Sequence, residues 1–134
     1  MINYPPKILI AFGEAVDENN KFLYWLMNNG YPELAALANA IHTNQEALQW
    51  LLKHNYPHFA ALSQAIYDDK KAYFWLKKHG YNFLLAICDA SHEDQKAIDW
   101  LKKNELEIFI VISSKIKKCR KRKLDDLNDY HKLR

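Results

Sequence analysis

This sequence has few of the residues on which several classes of protein depend. It holds two cysteines, Cys88 and Cys119, far apart and without a CxxC or Cys/His spacing, which argues against a disulfide framework or a zinc module. Its three glycines cannot form GxGxxG or a P-loop. No apolar run is long enough for a membrane span, and no basic segment with a cleavage site marks a signal peptide. These absences predict a soluble, cytoplasmic protein with no cofactor, no metal site and no membrane partner.

Groupings that could carry catalysis are also lacking. Residues 91–94 include the residue types of a catalytic triad, but adjacent residues at a helix start point in divergent directions. His54 and His79 stand one repeat apart, about 10 Å by helix-packing distances, which is too far for a shared metal ion. The sequence therefore predicts a protein that is not an enzyme.

What the sequence does hold is a repeat with a period of 25 residues. Tryptophans recur at this period, each followed by a leucine, and two alanine columns and one mixed apolar column keep the same spacing. A period of this length is typical of stacked supersecondary units. The columns are Trp25, Trp50, Trp75 and Trp100; Ala11, Ala36, Ala61 and Ala86; Ala15, Ala40, Ala65 and Ala90; and Phe12, Leu37, Leu62, Ile87 and Ile112.

Capping residues divide each repeat into two helices. One column holds Asn or Asp, the preferred N-cap types, and predicts the start of what we call the second helix. A later column holds Gly or Asn, which tolerate the left-handed backbone that ends a helix, and predicts its C-terminus. Pro32 and Pro57 then open the first helix, which contains the alanine columns. The N-cap column is Asn19, Asn44, Asp69 and Asp94, and the C-terminal column is Gly30, Asn55 and Gly80.

Because each helix pair has one apolar face and no partner for it, successive pairs are expected to stack. The predicted fold is all-α, an α-α solenoid with a right-handed superhelix of about five short helical-hairpin units, in one domain over residues 1–134. The Trp-Leu column is expected to form its core. The units are placed at about 4–18, 19–43, 44–68, 69–93 and 94–118, with a basic C-terminal capping segment at 115–134.

From Glu33 to Tyr56, a short helix, a turn and a helix with Trp50-Leu51-Leu52 follow one another. This order resembles the helical half of an ankyrin repeat without its β-hairpin, and the resemblance covers residues 5 to about 112. The Thr-Pro-Leu-His opening of ankyrin repeats is absent, and Pro-Glu-Leu-Ala stands at 32–35 instead. The resemblance implies a protein-interaction scaffold.

The first helices offer a candidate binding face, because their outward columns are small or variable rather than charged. Columns such as Ala35, Ala60 and Leu85, or Ala38, Ser63 and Cys88, are expected to be exposed and suit a concave wall. Ordinary solvent-facing helix is the alternative. The leading hypothesis is an intracellular scaffold or adaptor that binds a protein or peptide along this face. The predicted contact residues are Asn39, His42, Gln64, Tyr67, Asp89 and His92.

The C-terminal segment is basic, with nine Lys or Arg against three Asp over residues 115–134. Such a density can neutralise phosphates, so a nucleic-acid-associated protein is the alternative function. The same segment can instead serve as the polar cap that a solenoid end requires. The predicted nucleic-acid contacts are Lys117, Lys118, Arg120, Lys121, Arg122 and Lys123.

Overall fold

The structure, a computed structural model, describes residue 1 and residues 3–132, with the side chains of residues 130–132 excepted. This part of the chain is all-helical, with nine helices and no strand. In chain order the helices are α1 (Pro6–Val16), α2 (Asn20–Asn28), α3 (Pro32–Ile41), α4 (Gln45–Lys53), α5 (Pro57–Ala65), α6 (Lys70–Lys78), α7 (Asn82–Ser91), α8 (Gln95–Lys103) and α9 (Glu107–Lys132).

The predicted caps explain where most of the even-numbered helices begin and end. Asn44 Oδ1 accepts a hydrogen bond from the backbone N–H of Ala47 at 3.0 Å, and Asp69 and Asp94 cap α6 and α8 in the same way. Asn19 makes no side-chain cap bond to α2. Gly30, Asn55 and Gly80 all have positive φ, which confirms the predicted left-handed C-terminal column.

A second set of left-handed residues lies at the turns that precede the even-numbered helices. Glu18, Thr43, Asp68 and Glu93 all have φ between 63° and 69°. None of them is glycine or asparagine, so the sequence did not reveal this column. The tight turn from one helix into the next imposes this backbone at every repeat, whatever the side chain.

The odd-numbered helices form a closed circuit of contacts. Each packs against the next odd-numbered helix, and α9 also returns to pack against α1 and, less extensively, against α3. Each even-numbered helix packs against the odd-numbered helices before and after it. At the centre of this arrangement lie leucines that are fully buried, which confirms the leucine part of the predicted core. They are Leu26, Leu51, Leu76 and Leu101.

Two expectations about burial are wrong. The tryptophans are not core residues throughout, because Trp25 is 38% exposed and Trp100 is 42% exposed. Trp50 and Trp75 are half-buried at the edge of the core, where the Trp50 ring stacks on His54 with centroids 4.0 Å apart. Tryptophan precedes the buried leucine by one residue, about 100° around the helix, so it reaches the boundary rather than the centre.

The small-residue columns of the first helices are buried, although they were expected to be exposed. Ala35 and Ala38 are 2% and 0% exposed, and their equivalents in α5 and α7 are also in the core. Gly13 shares a column with Ala38, and a Cβ placed on Gly13 would lie 3.3 Å from the Cδ atom of Lys115 in α9. Small residues recur here because the odd-numbered helices approach one another closely.

The last helix differs from the predicted arrangement. Helix α9 continues for 26 residues without a break. It therefore contains the end of the predicted unit at 94–118 and most of the predicted capping segment at 115–134. Residues 133–134 lie outside the described residues. No helix in the described part of the chain is both long and apolar enough to cross a membrane.

Candidate functional site

Three clefts open where the odd-numbered helices meet the start of the even-numbered helices. They have volumes of about 280, 290 and 250 Å³ and follow one another along the chain. The first lies beside α3 and α4, the second between α4 and α5, and the third between α6 and α7. We call them clefts 1, 2 and 3.

Five of the six predicted contact residues line these clefts. Asn39 lines cleft 1, Gln64 and Tyr67 line cleft 2, and Asp89 and His92 line cleft 3. Asn39, Gln64 and Asp89 come from one sequence column, so each unit presents a different polar group at an equivalent position. The clefts therefore form a row of related but chemically distinct surfaces.

The sixth predicted residue, His42, lies beneath α9. Its Nε2 atom is 3.3 Å from the Ala15 carbonyl oxygen, and its Nδ1 atom is 3.6 Å from Cys119 Sγ and 3.5 Å from a Glu18 carboxylate oxygen. Burial lowers the pKa of His42, a change that the Ala15 carbonyl and Glu18 partly oppose. His42 thus joins α1, α3 and α9 rather than lining a cleft.

Cleft 1 has more apolar side chains in its lining than clefts 2 and 3. Met27, Ala36 and Trp50 form its walls, and Asn39 and Glu46 supply polar groups. Met27 is 49% exposed, so apolar surface is accessible there. Cleft 1 therefore suits an apolar side chain.

Cleft 3 is acidic. Asp68, Asp69 and Asp89 line it together with Lys70 and His92. Asp89 accepts a hydrogen bond from the Tyr73 hydroxyl at 3.1 Å, and burial raises the pKa of the Asp89 carboxyl. His92 Nε2 lies 3.0 Å from an Asp68 carboxylate oxygen, so the imidazole ring already occupies part of this rim. Cleft 3 suits a basic side chain.

Tyr67, in cleft 2, is held by the neighbouring unit. Its hydroxyl donates a hydrogen bond to the Ile41 carbonyl oxygen at 2.7 Å, and burial raises its pKa. This bond fixes the ring between α3 and α5. Gln64 is exposed beside it and makes the more accessible contact surface.

Three of the six predicted nucleic-acid contacts form hydrogen bonds or ion pairs with other residues of this chain. Arg120 donates to the backbone oxygen of Ser91 at 2.7 Å and to the Ile66 carbonyl oxygen at 3.4 Å. Lys117 pairs with Glu93, and Arg122 lies 3.6 Å from a Glu18 carboxylate oxygen. These cations bind the C-terminal ends of α1, α5 and α7.

The other three cations of this set make no ion pair with the described residues. Lys118 and Lys121 are exposed, and Lys123 is half-buried close enough to His42 to lower its pKa. The accessible positive surface of α9 is therefore smaller than the sequence suggested.

Sequence reasoning missed the cap residues as part of the site. Asn44 lines clefts 1 and 2, and Asp69 lines clefts 2 and 3. The signal was present, because the N-cap column follows the Asn39 column by five residues throughout. A turn this short keeps the two columns next to each other.

The described residues contain no cluster of three or more side chains suited to a metal ion. Burial raises the pKa of the Cys88 thiol to about 12 and also raises that of Cys119. Both thiols are therefore protonated at neutral pH, which does not favour nucleophilic chemistry. Comparisons with protein families, with curated proteins and with solved structures found no match to this chain.

Proposed function

We propose that this protein is a non-catalytic scaffold or adaptor that binds an extended segment of a partner protein along clefts 1, 2 and 3. The observation that carries the proposal is that every lining position of cleft 3 is the equivalent, 25 residues later, of a lining position of cleft 2, with a different residue at most of them. Cleft 1 shares with them the column of Asn39 and the N-cap column of Asn44. A repeat scaffold acquires specificity in this way, since the buried framework stays constant while exposed positions vary.

We further propose that the helix pairs form a right-handed α-α solenoid with the period seen in the sequence. Its support is that α2, α4, α6 and α8 begin at residues 20, 45, 70 and 95. The ankyrin-like ancestry and the cytoplasmic location stay predictions.

The spacing of the clefts suggests what the bound segment looks like. Packed helices lie about 8–10 Å apart, and an extended chain advances about 3.3 Å per residue. Each cleft therefore corresponds to about three residues of the partner. The partner segment is expected to place an apolar side chain in cleft 1 and a basic side chain in cleft 3, about six residues away.

A selection from randomised peptides of about nine residues, three for each cleft, tests this proposal. Enriched peptides are expected to combine an apolar and a basic residue at that spacing. Gln64→Arg in cleft 2 should weaken binding about tenfold or more, measured by fluorescence anisotropy. Gln49→Arg is the matched control, because Gln49 is also exposed but lines none of these clefts. Equal affinity for both variants would contradict the proposal.

A second candidate function, association with nucleic acid through α9, is favoured by exposed Lys118 and Lys121. With Lys123, three cations are available, so the logarithm of affinity should fall with the logarithm of salt concentration at a slope no steeper than about −3. Titration of random duplex DNA and RNA at two salt concentrations measures this slope. Binding that does not respond to salt, or no binding, excludes this function.

A further inference from the structure

The groove between α1 and α9 differs from the grooves between consecutive odd-numbered helices. An even-numbered helix packs on both members of each other pair: α2 on α1 and α3, α4 on α3 and α5, α6 on α5 and α7, and α8 on α7 and α9. Helices α1 and α9 also contact each other and α3 packs on both, but none of the described even-numbered helices does. This groove, which we call the seam, lacks the helix that covers its equivalents.

Apolar residues are exposed at the seam at positions whose equivalents elsewhere are buried or half-buried. Val111 is 55% exposed, whereas Ala36 and Ala61 in the same column are 9% and 6% exposed. Ile10 is 57% exposed, whereas its equivalent Ala35 is 2% exposed. Val111 and Ile10 are also larger than the alanines at the equivalent positions. The seam therefore leaves more apolar surface in water than exposed alanines would.

Both exposed residues lie next to the contact between the two helices. Ile10 precedes Glu14 by four residues on α1, and Val111 precedes Lys115 by four residues on α9. Residues four apart lie on the same face of a helix, and Lys115 pairs with both Glu14 and Asp17. The seam has a volume of about 400 Å³ and is lined by Asp17, Ile110, Val111, Ser114, Lys115 and Lys118.

The polar end of the seam matches the N-terminus of a helix. Because the turns are short, the even-numbered helices run opposite to the odd-numbered ones. A helix that lay in the seam parallel to the even-numbered helices would therefore begin near Asp17, at the C-terminal end of α1. One oxygen of Asp17, Oδ1, is buried and has no hydrogen-bond partner among the described residues. The first turn of a helix carries the positive end of the helix dipole, which favours a carboxylate close by even when the carboxylate oxygen is not itself exposed.

The charge at this end also indicates the partner's first turn. Lys118 lines the seam, is exposed and makes no ion pair with the described residues. An acidic side chain in the first turn of an incoming helix would face it and would be stabilised by the helix dipole. The even-numbered helix α4 has this pattern, with Glu46 in its first turn and an apolar face behind it.

We propose that the seam binds one amphipathic helix of a partner protein, about as long as the nine-residue even-numbered helices. Its apolar face covers Ile10 and Val111, and its acidic first turn lies at Asp17 and Lys118. The seam uses none of the residues of clefts 1, 2 and 3, so this inference does not depend on the proposed function.

A constrained peptide with the sequence of residues 44–53 tests the proposal. Isolated helices of this length are marginal in water, so a staple joining positions 45 and 49 on the outer face holds the helix. The expected result is saturable binding to the whole protein by fluorescence anisotropy. Val111→Glu should lower the affinity about tenfold or more. Phe74→Glu is the matched control, because Phe74 is 60% exposed on α6, away from the seam.

A charge exchange makes the test independent of any effect on folding. Lys118→Glu should weaken binding of the peptide, and Glu46→Lys in the peptide should restore it. Absence of binding, equal loss with Val111→Glu and Phe74→Glu, or no rescue by the exchanged charges would overturn the proposal. Sedimentation of the protein alone gives a further outcome. A dimer that Val111→Glu dissociates would assign the seam to a second copy and also overturn it.

Discussion

The even-numbered helices and α9 both carry many cations, yet these cations have different surroundings. On the even-numbered helices, Lys53, Lys78 and Lys103 are exposed near the helix ends. On α9, Arg120 reaches backbone oxygens at the ends of α5 and α7, and Lys115 pairs with α1. Lysine and arginine side chains therefore face water on the even-numbered helices, whereas on α9 they join that helix to its neighbours.

The difference has a physical origin in the direction of the odd-numbered helices. Their C-terminal ends carry unpaired carbonyl groups and the negative end of the helix dipole. Helix α9 runs past these ends, so its cations meet carbonyls and the carboxylates of Asp17, Glu18 and Glu93. The even-numbered helices keep their lysines on the outer surface, where they meet water.

The strongest test of this comparison is the removal of the Arg120 side chain. Arg120→Ala leaves the carbonyl of Ser91 and the Ser91 hydroxyl without their charged donor. The free energy of unfolding is expected to fall by about 2–3 kcal/mol, as measured by urea denaturation. Lys121→Ala, next to it and exposed, should change it by less than about 0.5 kcal/mol. Similar losses in both variants would show that the contacts of Arg120 with Ser91 contribute no more than an exposed lysine does.

A smaller effect is expected from the left-handed turn residues, which interrupt the chain in the repeating body but do not occur within α9. Thr43 is β-branched and has φ of 69°, a backbone conformation that disfavours such side chains. Thr43→Asn is expected to raise the free energy of unfolding by about 0.5–1 kcal/mol, because Asn tolerates this conformation. Thr43→Val, which keeps the branching, should give no gain. Thermal or urea unfolding of the three proteins decides between these outcomes.

The smallest expected effect concerns His42, where the body meets α9. Burial lowers its pKa below the ordinary value of 6.5, while Glu18 and a backbone carbonyl offset part of this change. As pH falls through 6.5, the unfolded chain binds the proton more readily than the folded one, so the free energy of unfolding decreases. Above that range both states are neutral at this site, and His42 contributes no pH dependence.

His42→Gln should therefore flatten the dependence of stability on pH between about 7.5 and about 5.5. The pKa of His58 is also lowered by burial, so the variant should retain part of the slope. Urea unfolding of both proteins at several pH values gives the comparison. An unchanged slope would mean that His42 is protonated with equal ease in the folded and unfolded chains.

Much of the local structure could be predicted from particular residues. Asn44, Asp69 and Asp94 cap the helices that follow them, and Gly30 and Gly80 end helices with positive φ, as expected. These features depend on a few neighbouring residues, so a repeat in the sequence carries them directly. Five predicted contact residues also lie in the clefts, although whether they bind a partner stays a prediction.

Burial was harder to predict, because it depends on which helices face each column. Ala38 and Ser63 could equally have lined a concave surface, but the close approach of the odd-numbered helices buries them. The cations of α9 could equally have faced a nucleic acid, but three of the predicted six contact the chain itself.

By itself the sequence determined the repeat, the all-helical class and most helix ends, since each follows from short-range periodicity and capping. Only the tertiary structure decided that α9 returns to α1, and with it which side chains are buried and where the seam lies. That contact joins residues about 100 positions apart, such as Asp17 and Lys115, and no local pattern specifies it. The free energy of closing so long a loop is repaid by packing, which depends on all the helices together.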